Sequence, residues 1–132
     1  ILIIGGGPAG VSTWLHLNKK DQDLAMKTLI LEKDKFPRDK ICGGGLGGWT
    51  SYVLKHLDIK LDISSLSISD TEFIYGNERY TLHQPNSFKM VQRIDFDNAV
   101  VKTAINRGLK INENESFLSY SKKENRIYKY IC

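Results

Sequence analysis

Ile1-Leu2-Ile3-Ile4-Gly5-Gly6-Gly7-Pro8-Ala9-Gly10 opens the chain and decides how it folds. Four apolar residues in a row, three of them β-branched, read as a short strand covered on both faces, as in a parallel sheet. Three glycines and a proline then break the strand. From Ala9 to about Lys19 the pattern turns helical, with Val11, Trp14, Leu15 and Asn18 along one face and Leu17 beside them. Polar residues from Lys19 to Asp23 end that helix, and Thr28-Leu29-Ile30-Leu31-Glu32 supplies a second apolar strand. The unit is strand, glycine turn, helix, strand.

Gly5, Gly7 and Gly10 fall at G-x-G-x-x-G spacing between that strand and that helix, which is the context that gives the motif meaning. The first glycine permits the tight turn, the second lets a pyrophosphate approach the backbone, and the third lets helix pack on strand. The helix N-terminus then offers its unpaired N–H groups to the anion. Glu32 ends the second strand 22 residues after Gly10, where a carboxylate accepts hydrogen bonds from both ribose hydroxyls and repels a 2′-phosphate. FAD or NAD therefore suits the pocket better than NADP. A solvated strand-end acid paired with Lys33 is the competing reading of Glu32.

Downstream of Glu32 the chain turns charged and then enters Cys42-Gly43-Gly44-Gly45, after which Leu46, Trp49, Val53, Leu54 and Leu57 recur at helical spacing. The glycines feed the N-terminus of that helix. Residues 58–92 change character: Glu72-Phe73-Ile74-Tyr75 and Arg79-Tyr80-Thr81-Leu82 flank Gly76-Asn77-Glu78 as a hairpin, and Lys89 to Gln92 forms a third strand. Asp95 caps a helix running to Arg107 with Gly108 just past it, and Phe96, Ala99, Val100 and Ala104 point inward. Short strands follow near Ile111, near Phe117 and over Ile127 to Ile131. Both ends of the chain fall inside apolar runs, so the sequence reads as the N-terminal part of a larger protein.

The net charge of +4 comes from lysines interleaved with acids, as in Lys33-Asp34-Lys35 and Lys122-Lys123-Glu124, a solvated surface rather than a nucleic-acid footprint. Cys42 and Cys132 make neither a disulfide framework nor a metal-type spacing, so a reducing compartment is the simpler expectation and no metal is expected. No apolar run approaches the roughly 18 residues of a membrane span. A cytoplasmic protein, touching a membrane at most peripherally, is expected. His16, His56 and His83 form no cluster in the sequence. Cys42, beside a helix N-terminus, reads either as a thiol of lowered pKa or as a small packed hydrophobe.

Phe36-Pro37-Arg38-Asp39-Lys40-Ile41-Cys42-Gly43-Gly44-Gly45-Leu46, following such a unit, resembles the geranylgeranyl reductase family of flavoproteins, whose fold is shared by p-hydroxybenzoate hydroxylase and the flavin-dependent halogenases. Val91-Gln92-Arg93-Ile94-Asp95-Phe96-Asp97, with Ala104 and Gly108 beyond, resembles that family's Arg-x-x-Phe-Asp helix start. The loop follows the reductase pattern, and the halogenases' Trp-x-Trp signature is not in this chain. What the resemblance implies is FAD as cofactor. Gly5, Gly7, Ala9 and Gly10 would lie at the pyrophosphate, Glu32 at the adenosine ribose, and Cys42, Gly43 and Gly45 along the cofactor. Arg93 would contact FAD, and a backbone group near Phe117 would meet the adenine. Arg38, like Arg93, is a cation able to fork onto phosphate or ribityl oxygens.

The fold expected is an α/β Rossmann-like FAD-binding domain, a parallel sheet with flanking helices, carrying a strand-rich insertion. Residues 1–57 form its first part, 58–92 contribute to a substrate domain, and 93–132 return to the FAD-binding domain. The resemblance implies an oxidoreductase that reduces carbon–carbon double bonds of a polyprenyl or other apolar substrate through reduced flavin, with NADPH or a ferredoxin-type protein as electron donor. A flavin monooxygenase or halogenase of the same fold is the enzymatic alternative, and a nucleotide-binding module without catalysis the non-enzymatic one. The catalytic residues are expected downstream of this chain, which alone should be inactive.

Overall fold

The apolar run at the N-terminus needs a partner strand, and the structure, a computed structural model that describes residues 1–123 and 126–131, provides one. Strand β1 (Leu2–Ile4) pairs in parallel with β2 (Leu29–Leu31), Leu2 opposite Leu29 and Ile4 opposite Leu31. Between them run helix α1 (Pro8–Lys20) and a short helix α2 (Gln22–Met26). Asp21 separates the helices and caps the second, its side chain accepting the Leu24 N–H at 2.9 Å. This second helix occupies the polar stretch expected to be a plain helix end.

Further along, β3 (Gly45–Gly47) leads into α3 (Gly48–His56), and β4 (Ser65–Tyr75) and β5 (Glu78–Val91) form a long hairpin. Helix α4 (Arg93–Asn106) returns the chain to β6 (Lys110–Asn112), and β7 (Phe117–Lys123) pairs antiparallel with β8 (Arg126–Ile131). β6 pairs with β2 in parallel, so one sheet has the order β1-β2-β6, and a second, antiparallel sheet has the order β3-β5-β4. Two compact units result: Ile1–Arg38 together with the chain from Asp97 onward, and Asp39–Phe96.

In the first unit Val11, Trp14 and Leu15 of α1, Ala25 of α2, Ile30 and Leu31 of β2, and Val100, Val101 and Ala104 of α4 are buried. The Trp14 indole donates to the Ala25 carbonyl at 3.0 Å, tying α1 to α2 and satisfying the polar edge of a fully buried ring. β1 departs from expectation: Leu2 and Ile4 are exposed, and β1 lies at the edge of its sheet among the described residues. An apolar run marks the strand and not the cover over it. α4 starts at Arg93, two residues ahead of the expected cap, and Asp95 sits in its first turn, where a carboxylate favours the helix dipole.

The second unit corrects three expectations. Leu46 lies on β3, not on the following helix. Lys89–Gln92 is no separate strand: β5 continues to Val91, past Pro85. A bulge makes this possible, since the pairing shifts from Ile68 opposite Phe88 to Asp70 opposite His83, leaving Gln84 to Ser87 out of register, where a proline costs no ladder bond. Third, α3 buries no residue of its own and shows an aromatic ladder, Trp49 stacked on Tyr52 at 5.0 Å and Tyr52 on His56 at 6.3 Å. No helix among the described residues is long and apolar enough to cross a membrane.

Candidate functional site

The glycine loop leaves β1 with the Gly5 N–H bonded to the Leu31 carbonyl at 2.8 Å, so its start is fixed to the neighbouring strand. It enters α1 with Gly7 as N-cap and Pro8 in the first turn, and neither a capping side chain nor an acidic residue serves that helix end. The first N–H groups of a helix have no partner within it. Such N–H groups can meet an anion. Gly10 explains itself sterically: a Cβ there would lie 2.0 Å from the Gly5 carbonyl oxygen and 3.2 Å from Ile3 Cγ2, so helix and strand meet only over a hydrogen. Gly7 differs, since its Cβ position has one neighbour within 4 Å, Arg38 Nη2 at 3.5 Å. That space is open on the loop's outer side.

Gly6, the unassigned middle residue of the loop, is where the site closes. Its N–H donates to Glu32 Oε2 at 2.7 Å, and a Cβ on it would press on Ile111 Cδ1 at 2.9 Å. Glu32 is itself fixed by its backbone, its N–H bonded to Asn112 C=O at 2.9 Å and its C=O to Glu115 N–H at 3.0 Å. Its other carboxylate oxygen accepts the Asp34 N–H at 3.1 Å. The cation beside Glu32, among the described residues, is Arg38 and not the adjacent Lys33.

Arg38 spans two carboxylates. Nη2 lies 3.5 Å from Glu32 Oε2 and Nη1 lies 3.1 Å from Asp97 Oδ2, with side-chain exposures of 10% for the arginine, 6% for Glu32 and 0% for Asp97. The Phe36 ring sits under the guanidinium at 4.8 Å. Arg38 Nε is buried with no hydrogen-bond partner among the described residues. An uncapped helix end, an open glycine, a buried carboxylate with acceptor capacity to spare and a buried N–H without an acceptor together suit a ligand with vicinal hydroxyls and phosphates. A dinucleotide has both.

The remaining residues singled out from the sequence are distributed more widely. Ala9 is exposed in the first turn of α1, its carbonyl accepting from Thr13. Cys42, Gly43, Gly45 and Arg93 belong to the second unit. Cys42 is exposed, and its Sγ accepts the Gly44 N–H at 3.5 Å. Gly43 has open space where a Cβ would go, and Gly45 meets Met90 Sδ at 3.7 Å. The glycine that cannot be replaced in this run is Gly44, at φ +73° with Val91 O only 2.0 Å from its Cβ position. Arg93 is the half-buried first residue of α4, and Phe117 opens β7 opposite Ile131. Cys132 lies outside the described residues.

No family model matches the chain. Among curated proteins, an uncharacterized protein of Methanosarcina barkeri is 28% identical over 112 residues, 82% of this chain and 27% of that protein. Conditioned medium factor receptor 1 of Dictyostelium discoideum is 26% identical over 131 residues, 86% of this chain and 25% of that one. Among solved structures, a geranylgeranyl bacteriochlorophyll reductase-like protein of Thermoplasma acidophilum superposes with a TM-score of 0.74 at 23% identity, over 98% of this chain and 34% of its own. A p-nitrophenol 4-monooxygenase of Pseudomonas putida gives 0.70 at 15%, over 98% and 35%. Halogenase PltM gives 0.71 at 17%, over 99% and 31%. The fold is that of the FAD-binding flavoproteins. The chain spans about a quarter of the length of both curated relatives and about a third of these solved structures.

Proposed function

We propose that this chain is the FAD-binding part of an FAD-dependent oxidoreductase, with the loop Gly5–Gly10 and the N-terminus of α1 at the pyrophosphate and Glu32 at the adenosine ribose. The observation that carries the reading is the closure of the glycine loop on a buried strand-end carboxylate, Gly6 N–H to Glu32 at 2.7 Å. Gly7 leaves room for a phosphate, Ala9 and Gly10 present N–H groups in the first helical turn, and Arg38 offers a cation beside both. Bound FAD would supply two-electron redox chemistry, and these residues would bind and orient it. By resemblance Cys42, Gly43, Gly45, Arg93 and the backbone near Phe117 also serve the cofactor, and single replacements test each assignment separately. The strand-rich stretch 58–92 is assigned to a substrate domain.

For the whole enzyme, the reductase-like order of Phe36–Leu46 favours saturation of a carbon–carbon double bond in a polyprenyl or other apolar substrate, with NADPH or a ferredoxin-type protein as donor. The likeness in fold to a monooxygenase and a halogenase keeps oxygen or halide insertion as the competing chemistry. The deciding experiment is to purify the full-length protein, identify any cofactor released on denaturation, and incubate the reduced holoprotein with a polyprenyl lipid for mass analysis. Released FAD and a product heavier by two hydrogens per double bond support the reading. Absence of flavin supports a nucleotide-binding module instead, and added oxygen or halogen supports the competing chemistry.

A further inference from the structure

Asp97 is buried more completely than any other member of the Glu32–Arg38–Asp97 cluster, yet it would touch no part of a nucleotide held as above. It lies on α4, 59 residues from Arg38 in the chain, and takes that guanidinium at 3.1 Å where Glu32 holds it at 3.5 Å. A guanidinium with a single carboxylate neighbour settles on it as a two-pronged fork. Here the second carboxylate competes, and the Phe36 ring fixes the plane from below. Arg38 therefore stands between the acids with Nη2 beside Gly7 and with Nε–H unmet among the described residues. A donor nine-tenths buried and unmet is costly until an acceptor arrives.

We infer that Asp97 is a positioning residue of the nucleotide site: by holding Arg38 off Glu32 it keeps the Glu32 carboxylate open to ribose hydroxyls and leaves an arginine N–H for a phosphate oxygen. The inference rests on the nucleotide reading of the glycine loop. Without the charge of Asp97, Arg38 closes onto Glu32 and occupies the oxygens the ribose needs. A purely structural Asp97, one that only seats α4, would act regardless of what stands at position 38. The two roles separate by rescue.

The test uses full-length apoprotein titrated with FAD, ADP and adenosine. Asp97→Asn should lose about tenfold in affinity for all three, since one charge-assisted contact is disrupted in each. Adding Arg38→Met to it should restore adenosine to near the wild-type value, because Glu32 is open again, while ADP and FAD stay weak for want of the cation. A double variant that binds adenosine no better than Asp97→Asn overturns the inference, as does an Asp97→Asn that binds like wild type. If Asp97→Asn does not fold, Arg38→Lys carries the test: it keeps the charge and removes the fork, and should lose about tenfold on ADP and nothing on adenosine. Equal losses on both ligands overturn the inference. Wild-type protein that binds neither FAD nor ADP overturns the nucleotide reading itself.

Discussion

Replacing Gly10 with alanine asks whether α1 is held to β1 by the absence of a side chain. The added methyl would sit 2.0 Å from the Gly5 carbonyl oxygen, an ångström inside the 3.0 Å that real Cβ atoms essentially never cross. That oxygen cannot swing away cheaply, since Gly5 is anchored by its N–H to Leu31. Helix α1 must instead lift by about the same ångström, which loosens Val11, Trp14 and Leu15 together. Burying each such side chain is worth about 1.5–3 kcal/mol, so losing roughly a third of three of them costs about 1.5–3 kcal/mol, in the usual range of about 1–3 kcal/mol for overpacking. Amide hydrogen exchange followed by mass spectrometry on the α1 peptides of the full-length protein reads this locally, and exchange should quicken by about 10- to 150-fold. Protection of α1 at the wild-type level would refute the steric account.

Gly7→Val is expected to separate the two jobs of the loop: with open space at its Cβ position it should leave α1 protected while flavin stoichiometry falls to near zero. Flavin retained by that variant would remove Gly7 from the site. Glu32→Gln keeps an acceptor for the Gly6 N–H but loses the charge, and should weaken FAD by about 1–3 kcal/mol in titrations of apoprotein; unchanged affinity would make Glu32 a structural acid only. Gly44→Ala meets both a left-handed backbone and the Val91 carbonyl, so it should open the β3–β5 pairing and expose Cys42–Leu46 to limited proteolysis, with an unaltered cleavage pattern counting against it.

The legible parts of the chain are those where local covalent constraint decides the outcome. Glycines at the strand-to-helix turn are legible because a tight turn and a close helix–strand approach leave no room for a side chain, and the strand-end acid Glu32 because it takes the Gly6 N–H of that turn. Helix α2 carried a signal that went unused, Asp21 as cap with Asp23 in the first turn, masked by the polarity of the segment. The pattern separates Arg79–Leu82 from a strand at Lys89–Gln92, whereas β5 joins them across a bulge opposite Ser69, with the Asn86 N–H donating to the Ser69 hydroxyl at 3.2 Å. Burial of β1 is not legible locally, since exposure depends on what covers the faces of the sheet. Nothing near Asp97 in the sequence points to its partner. Its partner stands 59 residues earlier, and only the folded chain brings the pair within 3.1 Å.

That pairing bears on how the middle of the chain can vary. The path leaves the first unit at Arg38 and rejoins it at Asp97, and one ion pair joins those two points. An excursion whose ends already meet adds only a loop-closure cost, and each doubling of its length costs about 0.6 kcal/mol. The β1-β2-β6 sheet is therefore nearly indifferent to how long or how elaborate the excursion is. Within residues 58–92 the hairpin can lengthen and strands can be added with the Gly5–Gly10 loop left in register. A scaffold stapled in this way holds one glycine loop steady while the hairpin beyond the staple is rebuilt.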